Sequence, residues 1–403
     1  EVNFNTLNTS LALNQDLSVI TKGLSLKALV NFKNWSETSY TRSIKSNIYK
    51  VKDGSYNPET GEYDYQLLQT GDQFLSQSGI SRNSDQTFYF DARLDWKRSF
   101  GDHNLTAMAM YMMREYRSDV LPNRNQGYSG RVTYDYASKY LVEFNFGYNG
   151  SERLAAGQRF EFFPAVSAGW VASSEKFWEP ISKYINHFKI RGSYGLVGSD
   201  AFASGAPHFL YQNNIGIGSA HKFWTGLPTS EISKQGPGFY VLAVQDAGWE
   251  HVKKFDIGFD MMLFNQLNIT FDYFHDKRER ILMSRASWPS MLGYWGSKPW
   301  SNIGEVENQG FELSLNWTKQ FGKDLTLDLR GNFTYNQNEY KYVDEPSYPY
   351  VWQTNTGKPL NTVKGYIAEG LFTSEEEIAN SPDQSQLGAN IMPGDIKYRD
   401  ING

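Results

Sequence analysis

The chain has 403 residues, of which 40% are hydrophobic and 16% aromatic, and it carries a formal net charge of −5. No run of 18 apolar residues occurs, which excludes a transmembrane helix, and no cluster of Lys and Arg predicts nucleic-acid binding. The absence of cysteine excludes disulfides and cysteine-ligated metals.

Period-two alternation of apolar and polar residues is the dominant signal in the sequence, and it predicts β-strands with one apolar face. The twelve predicted strands are, in chain order, 2–13, 24–32, 88–97, 105–113, 131–137, 140–148, 160–171, 188–196, 254–263, 267–273, 311–317 and 325–336. The strand at 105–113 is ambiguous, because Met108, Met110 and Met112 fall on the otherwise polar face. On the strand at 254–263, Asp256 and Asp260 share a parity and are predicted to face one polar interior.

The connections between these strands alternate in length. Short turns are predicted at 14–16, 99–104, 137–139, 264–266 and 319–323, and a less regular short connection with a helix-like sequence lies at 174–185. Long connections are predicted at 34–84, 115–127, 149–159, 197–250 and 277–308. Outer-membrane barrels have brief periplasmic turns and long external loops. The pattern therefore predicts an all-β fold, an antiparallel transmembrane β-barrel segment in which the strands form a meander.

The barrel is expected to be incomplete. The chain starts without an initiator Met and stops within a predicted extracellular loop region, 338–403. An open sheet edge is not tolerated in lipid, so the remaining strands would come from other parts of a longer protein. We thus expect 1–403 to be part of a larger barrel. A soluble all-β protein with aromatic strands is the alternative that composition leaves open.

Several segments resemble the SusC/RagA branch of TonB-linked outer-membrane receptors. They run from about Leu141 to the C-terminus in the family's order, and they include YLVEFNFGYNGSERL, FFPAVSAGWVASSEKFW, FKIRGSYGLVGSD, NIGEVENQGFELSLNW, KGYIAEGLFTSEEEI and MPGDIKYRDING. Within them, Gly304 and Gly310 are expected to permit a turn before a strand, and Pro164 suits a strand start or bulge. Glu375, Glu376 and Glu377 are expected to cap or precede a short helix after Ser374.

The resemblance implies an outer-membrane importer of oligomeric nutrients, glycan or peptide fragments. It also implies two partners besides lipid: a SusD-like surface lipoprotein, and TonB, which would act through a plug region that this chain lacks. The alternative function is a soluble or surface-attached carbohydrate-binding β-protein.

Candidate ligand-binding residues come from two aromatic groups in predicted external loops. Flat aromatic faces pack against sugars or peptide side chains, and exposed clusters often mark binding. The candidates are Trp288, Tyr294, Trp295, Trp300, Tyr348, Tyr350 and Trp352. Packing of the loops on each other, or contact with a partner, is the competing interpretation. No catalytic motif and no metal-ligand spacing of the six His residues occurs, so no enzyme, metal site or cofactor is predicted.

Overall fold

The computed structural model describes residues 2–77, 79–202, 206–225, 232–289, 291, 298–388 and 390–401. One antiparallel sheet of twelve strands, labelled β1 to β12 in chain order, dominates these ranges. The strands are β1 (Val2–Asp16), β2 (Leu24–Ser39), β3 (Ser81–Phe100), β4 (His103–Arg117), β5 (Asn123–Tyr136), β6 (Tyr140–Ser151), β7 (Phe160–Trp170), β8 (Ile185–Ser199), β9 (Glu250–Leu263), β10 (Leu267–Ser284), β11 (Trp300–Phe321) and β12 (Leu325–Tyr342).

Each strand pairs with the strand before it and the strand after it, so the sheet is a meander with β1 and β12 as its two edges. The predicted all-β antiparallel fold with about twelve strands is therefore confirmed. β1 and β12 do not pair with each other within the described ranges, so the sheet is open. None of the helices described here has the length and hydropathy needed to cross a bilayer.

Short elements occupy the connections. Among the described residues, small two-stranded sheets pair Arg42–Ser43 with Ser76–Gln77, Ile48–Val51 with Tyr65–Gln69, Asn214–Thr225 with Ile232–Val241, and Ala368–Leu371 with Ile396–Tyr398. In the same described ranges, 3-10 helices lie at Ala172–Ser174, Lys176–Trp178 and Val351–Gln353, and an α-helix, α1, lies at Glu375–Ala379. All of these elements belong to connections or to the segment after β12.

Connections at one end of the sheet are mostly short and those at the other end are mostly long, as predicted, but 118–122 in a long slot is shorter than 171–184 in a short slot. The short ones are 17–23, 101–102, 137–139, 171–184, 264–266 and 322–324, and in a meander they all lie at one end of the sheet. Two of them are tight hairpin turns in which consecutive residues take a positive φ, Ala137 with Ser138 and Phe264 with Asn265. Two positive φ values are the signature of the type I′ turn, whose twist matches that of the flanking strands.

Several predicted boundaries are wrong in detail. Residues 14–16 belong to β1, and the turn follows at 17–23. The predicted helix at 174–185 is reduced to 3-10 turns, because Pro180 offers no N–H to continue a helix. The long connection expected at 115–127 is only 118–122, and β12 continues to Tyr342, so the final loop region begins at 343. These strands continue beyond the residues whose apolar and polar side chains alternate, so the alternation does not mark where the strands end.

One face of the sheet, the apolar face, carries large hydrophobic side chains that remain exposed. Val142, Phe144 and Ile257 are 48%, 43% and 47% exposed, and no second layer covers them among the described residues. Aromatic rings on this face form a ladder across five neighbouring strands, with centroids 5.5–6.1 Å apart: Phe188, Phe259, Phe271, Phe311 and Phe333. A β-sandwich would bury such residues between its sheets, so this face is built to contact an apolar medium.

Tyrosines bound the apolar face at both ends. Near the short turns Tyr136 stacks on Tyr140, and near the long loops Tyr111 contacts Tyr128. On β6, Tyr140 and Tyr148 lie eight positions apart, which is about 26 Å along a strand at 3.3 Å per residue. Transmembrane barrels carry an apolar band about 25 Å tall between two aromatic girdles. On a strand tilted by about 40° this length corresponds to a height of about 20 Å, so the two tyrosines lie just inside the edges of such a band.

Gly310 lies in the middle of β11, and Gly304 lies on the same strand, so the predicted turn before a strand is wrong at this place. A Cβ at Gly310 would collide with the backbone carbonyl of Tyr335 on β12. Glycine is needed here for close approach of two backbones. We expect Gly310→Ala to lower the free energy of unfolding by about 1–3 kcal/mol, the range for overpacking. Urea unfolding in detergent micelles measures it, with Gly331→Ala on β12, where a Cβ meets nothing within 4 Å, as the control.

In the segment after β12, the carboxylate of Glu377 joins the short helix α1 to neighbouring residues. As predicted, a short helix follows Ser374; Ser374 itself caps α1, accepting a hydrogen bond from the Glu377 N–H at 3.2 Å. The Glu377 carboxylate accepts hydrogen bonds from the N–H and hydroxyl of Thr373 and forms an ion pair with Lys397. The Thr373 N–H first, then its hydroxyl and the Lys397 ammonium, lower the pKa of Glu377 from 4.5 to about 2.

A lowered carboxyl pKa contributes stability that is complete above the unfolded value of 4.5 and disappears as pH falls toward about 2. We therefore expect amide exchange in residues 373–381 to stay slow down to about pH 4.5 and to accelerate progressively below it. Hydrogen exchange at stepped pH, corrected for intrinsic rates, measures this. The Glu377→Gln variant should show fast exchange at neutral pH already, and equal profiles for both proteins would contradict the assignment.

Candidate functional site

The opposite face of the sheet, the polar face, concentrates charge on β8, β9 and β10. The Arg191 guanidinium lies 2.7 Å from the carboxylate of Asp272, 3.3 Å from that of Asp260 and 3.5 Å from that of Asp256. Thr270 donates a further hydrogen bond to Asp260 at 3.1 Å. The expectation that Asp256 and Asp260 share one polar face is confirmed, and a single cation holds three carboxylates there.

Gly258 makes this arrangement possible. It lies in register between Arg191 on β8 and Asp272 on β10, and a Cβ at this position would collide with the Asp272 carboxylate. Without a side chain at the central strand, Arg191 reaches across β9 to a partner two strands away. The ionic cluster is thus set by the sheet register and not by neighbours in sequence.

Similar pairs continue along the polar face. Arg131 contacts Glu143 at 2.9 Å between β5 and β6, and Lys27 contacts Asp95 at 3.2 Å between β2 and β3. Met108, Met110 and Met112 lie on this face too, in register with its charged residues, which resolves the ambiguity of β4. A cavity of about 360 Å³ opens on the polar face between β5 and β9. This face is therefore charged and suited to contact with water, and Met108, Met110 and Met112 form one row of flexible thioethers on it.

The outer ends of β7 and β8, near the long loops, separate. These strands pair over only six residues, from Ala165 to Trp170, and Pro164 stands where the pairing stops. Beyond Pro164, toward the long loops, a buried cluster of Leu154, Phe163 and Trp249 fills the gap between the two strands. Leu196 and Phe202 pack against this cluster. The loop sequences therefore close the opening between the two strands.

Polar contacts also stabilise this end of the sheet near the long loops, called here the rim. The Trp249 indole N–H donates to the carbonyl of Arg159 at 3.0 Å. The His251 imidazole lies 2.7 Å from the Glu161 carboxylate, and the Arg280 guanidinium lies 3.8 Å from it. A second buried cluster contains Leu210, Ala247 and Leu282, with Trp300 packed against it. The rim is thus a packed assembly of several loops.

Asp344 fastens two of the outer loops together. Its carboxylate, only 4% exposed, accepts hydrogen bonds from the N–H and hydroxyl of Ser287 at 2.9 and 2.8 Å, and Arg285 lies 3.3 Å away. Burial alone raises the pKa of Asp344, but the Ser287 donors and the Arg285 charge outweigh it and hold that pKa below its usual value. The carboxylate is therefore charged at neutral pH and keeps residues 285–287 on the segment after β12.

The structure divides the predicted ligand-binding residues. Tyr294 and Trp295 lie outside the described residues. Trp300 begins β11 and packs in the second buried cluster, and Trp288 is half-buried beside Ser287, so these two do not form one open patch. The second group does assemble: Tyr350 and Trp352 stack with centroids 4.5 Å apart and planes at 10°, and the third member of that group, Tyr348, is 38% exposed.

Sequence reasoning missed Arg191 and Asp344. A signal for Arg191 exists, because two carboxylates of one parity on β9 need a cation from a neighbouring strand, and Arg191 has the matching parity on β8. No comparable signal marks Asp344, whose partner Ser287 lies 57 residues away in another loop. Within the described part of the chain, no three His, Asp or Glu side chains gather closely enough to hold a metal ion.

The sequence matches the family described as TonB dependent receptor-like, beta-barrel over residues 2–384. The chain belongs to this family. TonB-dependent receptor P39 of Formosa agariphila is 28% identical over 284 residues, covering 70% of this chain and 26% of that protein. TonB-dependent receptor SusC of Bacteroides thetaiotaomicron is 24% identical over 324 residues, covering 77% of this chain and 28% of SusC.

Among solved structures, that of the RagAB peptide transporter superimposes with a TM-score of 0.63 at 18% identity, covering 93% of this chain and 41% of that chain. The receptor chain thus spans about a quarter of the curated relatives it matches and less than half of this structure. The resemblance to SusC/RagA receptors is confirmed, and the location is the outer membrane. The family consists of receptors and transporters, not enzymes.

In a TonB-dependent receptor barrel, the apolar face contacts lipid and the polar face lines the lumen. The long-loop end with Trp249, Asp344 and Trp352 is then the extracellular end. Of the alternative from the sequence, a soluble or surface-attached carbohydrate-binding β-protein, the soluble form is wrong, because the chain belongs to an outer-membrane family.

Proposed function

We propose that this chain forms part of the wall of a SusC-like importer that moves oligomeric nutrients, glycan or peptide fragments, across the outer membrane. The observation that carries the proposal is the two-faced sheet of a TonB-dependent receptor, with a charged lumen face beneath a packed extracellular rim. A polar lumen passes hydrated oligomers, and substrate passage needs no covalent chemistry. The relative named RagAB is a peptide transporter, which supports oligomers as the cargo class.

We further propose that the full-length receptor works with TonB, through a plug region, and with a SusD-like surface lipoprotein. The extracellular rim offers aromatic side chains to such a partner or to the cargo, and aromatic residues are enriched at both kinds of interface. In this scheme the chain itself binds and guides cargo, while energy for opening comes from the inner membrane.

Uptake by cells tests the import proposal. Cells with the gene for the full-length receptor deleted, and the same cells complemented, are given fluorescent oligosaccharides and fluorescent oligopeptides of four to ten units. We expect uptake of at least one class to depend on the gene and to stop when an uncoupler collapses the proton gradient. Equal uptake of every oligomer in deleted and complemented cells would reject import.

Purification of the tagged full-length receptor from outer membranes tests the partner proposal. We expect a surface lipoprotein of the SusD type to co-purify in near-equal amount, identified by mass spectrometry. A receptor that is active in uptake but purifies alone after mild crosslinking would show that the partner is wrong while the import function stands.

A further inference from the structure

The connection between β7 and β8, residues 171–184 and called here the collar, differs from its neighbours at the periplasmic end. It is longer than the other described connections at that end, and it consists of the 3-10 helices Ala172–Ser174 and Lys176–Trp178 followed by further turns. A hairpin loop between neighbouring strands needs only about two to five residues. The additional length therefore does more than join β7 to β8.

The collar folds back onto the apolar face of the sheet. The indole of Trp178 stacks on the Phe188 ring with centroids 5.3 Å apart and planes at 8°. The Phe177 ring lies 6.2 Å from the ring of Trp170. Phe188 belongs to the aromatic ladder of the apolar face, and Trp170 lies in register with Tyr140, which bounds that face near the short turns. The collar therefore lies on the lipid side of the wall, where hydrocarbon meets the periplasm.

Internal contacts hold the collar in this position. The Trp178 indole N–H donates to the carbonyl of Ile185 at 3.0 Å. The Tyr184 carbonyl accepts a hydrogen bond from the N–H of Phe264 in the next periplasmic turn at 2.9 Å, and the two rings meet edge to face at 6.1 Å. A surface that is ordered before binding loses less conformational entropy when a ligand arrives.

Large apolar side chains of the collar remain open to the surroundings. Phe177, Ile181 and Tyr184 are 62%, 41% and 53% exposed. Two lysines lie beside them in sequence, Lys176 before Phe177 and Lys183 before Tyr184, and both are exposed. Exposed apolar side chains next to lysines are typical of segments that lie in the plane of a membrane interface, where the ammonium groups reach the headgroups.

The charges of the collar leave its two lysines available. Glu175 forms an ion pair with Lys139 on the neighbouring turn at 3.2 Å, so this carboxylate already has its cation. Lys176 and Lys183 form no ion pair within the described ranges, and the other acid of the collar is Glu179. Together with Lys139, the cations therefore outnumber the carboxylates at this surface.

From these observations we infer that the collar binds phospholipids of the periplasmic leaflet. Phe177, Ile181 and Tyr184 enter the boundary between headgroups and acyl chains, while the ammonium groups of Lys176 and Lys183 meet lipid phosphates. The surface is continuous with the lipid-facing band through Trp178 and Phe188, which is why lipid is its occupant and not a protein. The inference concerns how the wall is anchored, and it holds whichever cargo is imported.

Photo-crosslinking in cells tests which molecule covers the collar. Benzoylphenylalanine is placed at position 177 of the full-length receptor, where the native side chain is mostly exposed, and the cells are irradiated. We expect mass spectrometry to find phospholipid adducts on the peptide that contains position 177. Adducts with a protein in place of lipid, or no adduct at that position, would overturn the inference.

Titration with phosphatidylglycerol tests the role of the lysines. Native mass spectrometry of the purified full-length receptor in detergent gives the Kd of the lipid. We expect the double variant Lys176→Gln with Lys183→Gln to weaken this Kd about tenfold, which corresponds to about 1.4 kcal/mol. Phe177→Ala should weaken it as well, because the apolar contact is lost.

Lys33→Gln with Lys52→Gln is the matched control, because it removes the same charge from β2 and from the extracellular loop that follows β2. Its phosphatidylglycerol Kd should equal that of wild type. Heat-dependent gel mobility identifies folded protein, and the exposure of both collar lysines predicts that their variant folds. An unchanged Kd in the collar double variant, or an equal loss in the control, would show that the collar is not a lipid site.

Discussion

Replacing Trp249 with alanine should destabilise the extracellular rim by about 3–5 kcal/mol, the usual cost of removing a large aromatic side chain from a packed core. Trp249 is 5% exposed and meets Phe163 edge to face with centroids 5.4 Å apart. Its loss also leaves the Arg159 carbonyl without the indole donor. The cavity would open where β7 and β8 already lack pairing, so the effect should stay at that end of the sheet.

Hydrogen exchange on the receptor in micelles measures this effect by segment. In Trp249→Ala we expect fast exchange at 152–163 and 244–252, with protection unchanged in β10 and β11. Trp170→Ala is the control, because Trp170 lies on the apolar face, is 37% exposed and fills no cluster. Identical exchange at 152–163 in wild type and Trp249→Ala would show that the rim does not depend on this residue.

Replacing Arg191 with methionine should lower the free energy of unfolding by about 3 kcal/mol. Methionine keeps much of the side-chain volume, but three carboxylates then face each other without their cation. Removing one partner of a partly buried ion pair typically costs about 3–5 kcal/mol, and the solvent that reaches this face reduces that figure.

Urea unfolding of the refolded barrel in liposomes measures this change. Arg330→Met is the matched control, because Arg330 on β12 lies on the same polar face, is exposed and forms no ion pair within the described ranges. Arg191→Lys should recover part of the loss, since an ammonium supplies charge but not the two-pronged geometry. Equal unfolding midpoints for Arg191→Met and Arg330→Met would show that the cluster contributes nothing to stability.

The sequence was sufficient to predict the strands wherever lipid and lumen impose opposite requirements on successive residues. Apolar and polar residues alternate at 88–97 and 254–263 because of this requirement, and both segments are strands in the structure. Beyond the lipid band the constraint ends, so the outer parts of β10 and β11 show no alternation and were predicted as loop. Backbone pairing continues there without a sequence pattern.

The candidate site was predictable only in part, because loop contacts join distant residues. The spacing of Tyr350 and Trp352 identified a local aromatic pair, and these two do stack. The burial of Trp300 depends on Leu210 and Leu282, which come from other segments and leave no mark near position 300. The same holds for Asp344 and Ser287, whose meeting follows from the course of two whole loops.

The six residue pairs between β7 and β8 also give the sheet a line of mechanical weakness. Every other neighbouring pair of strands shares at least eleven residue pairs, so far more hydrogen bonds would have to break elsewhere. A sideways pull would part the sheet there, into a block of seven strands and a block of five. The packing around Trp249 therefore opposes the initial separation of β7 from β8.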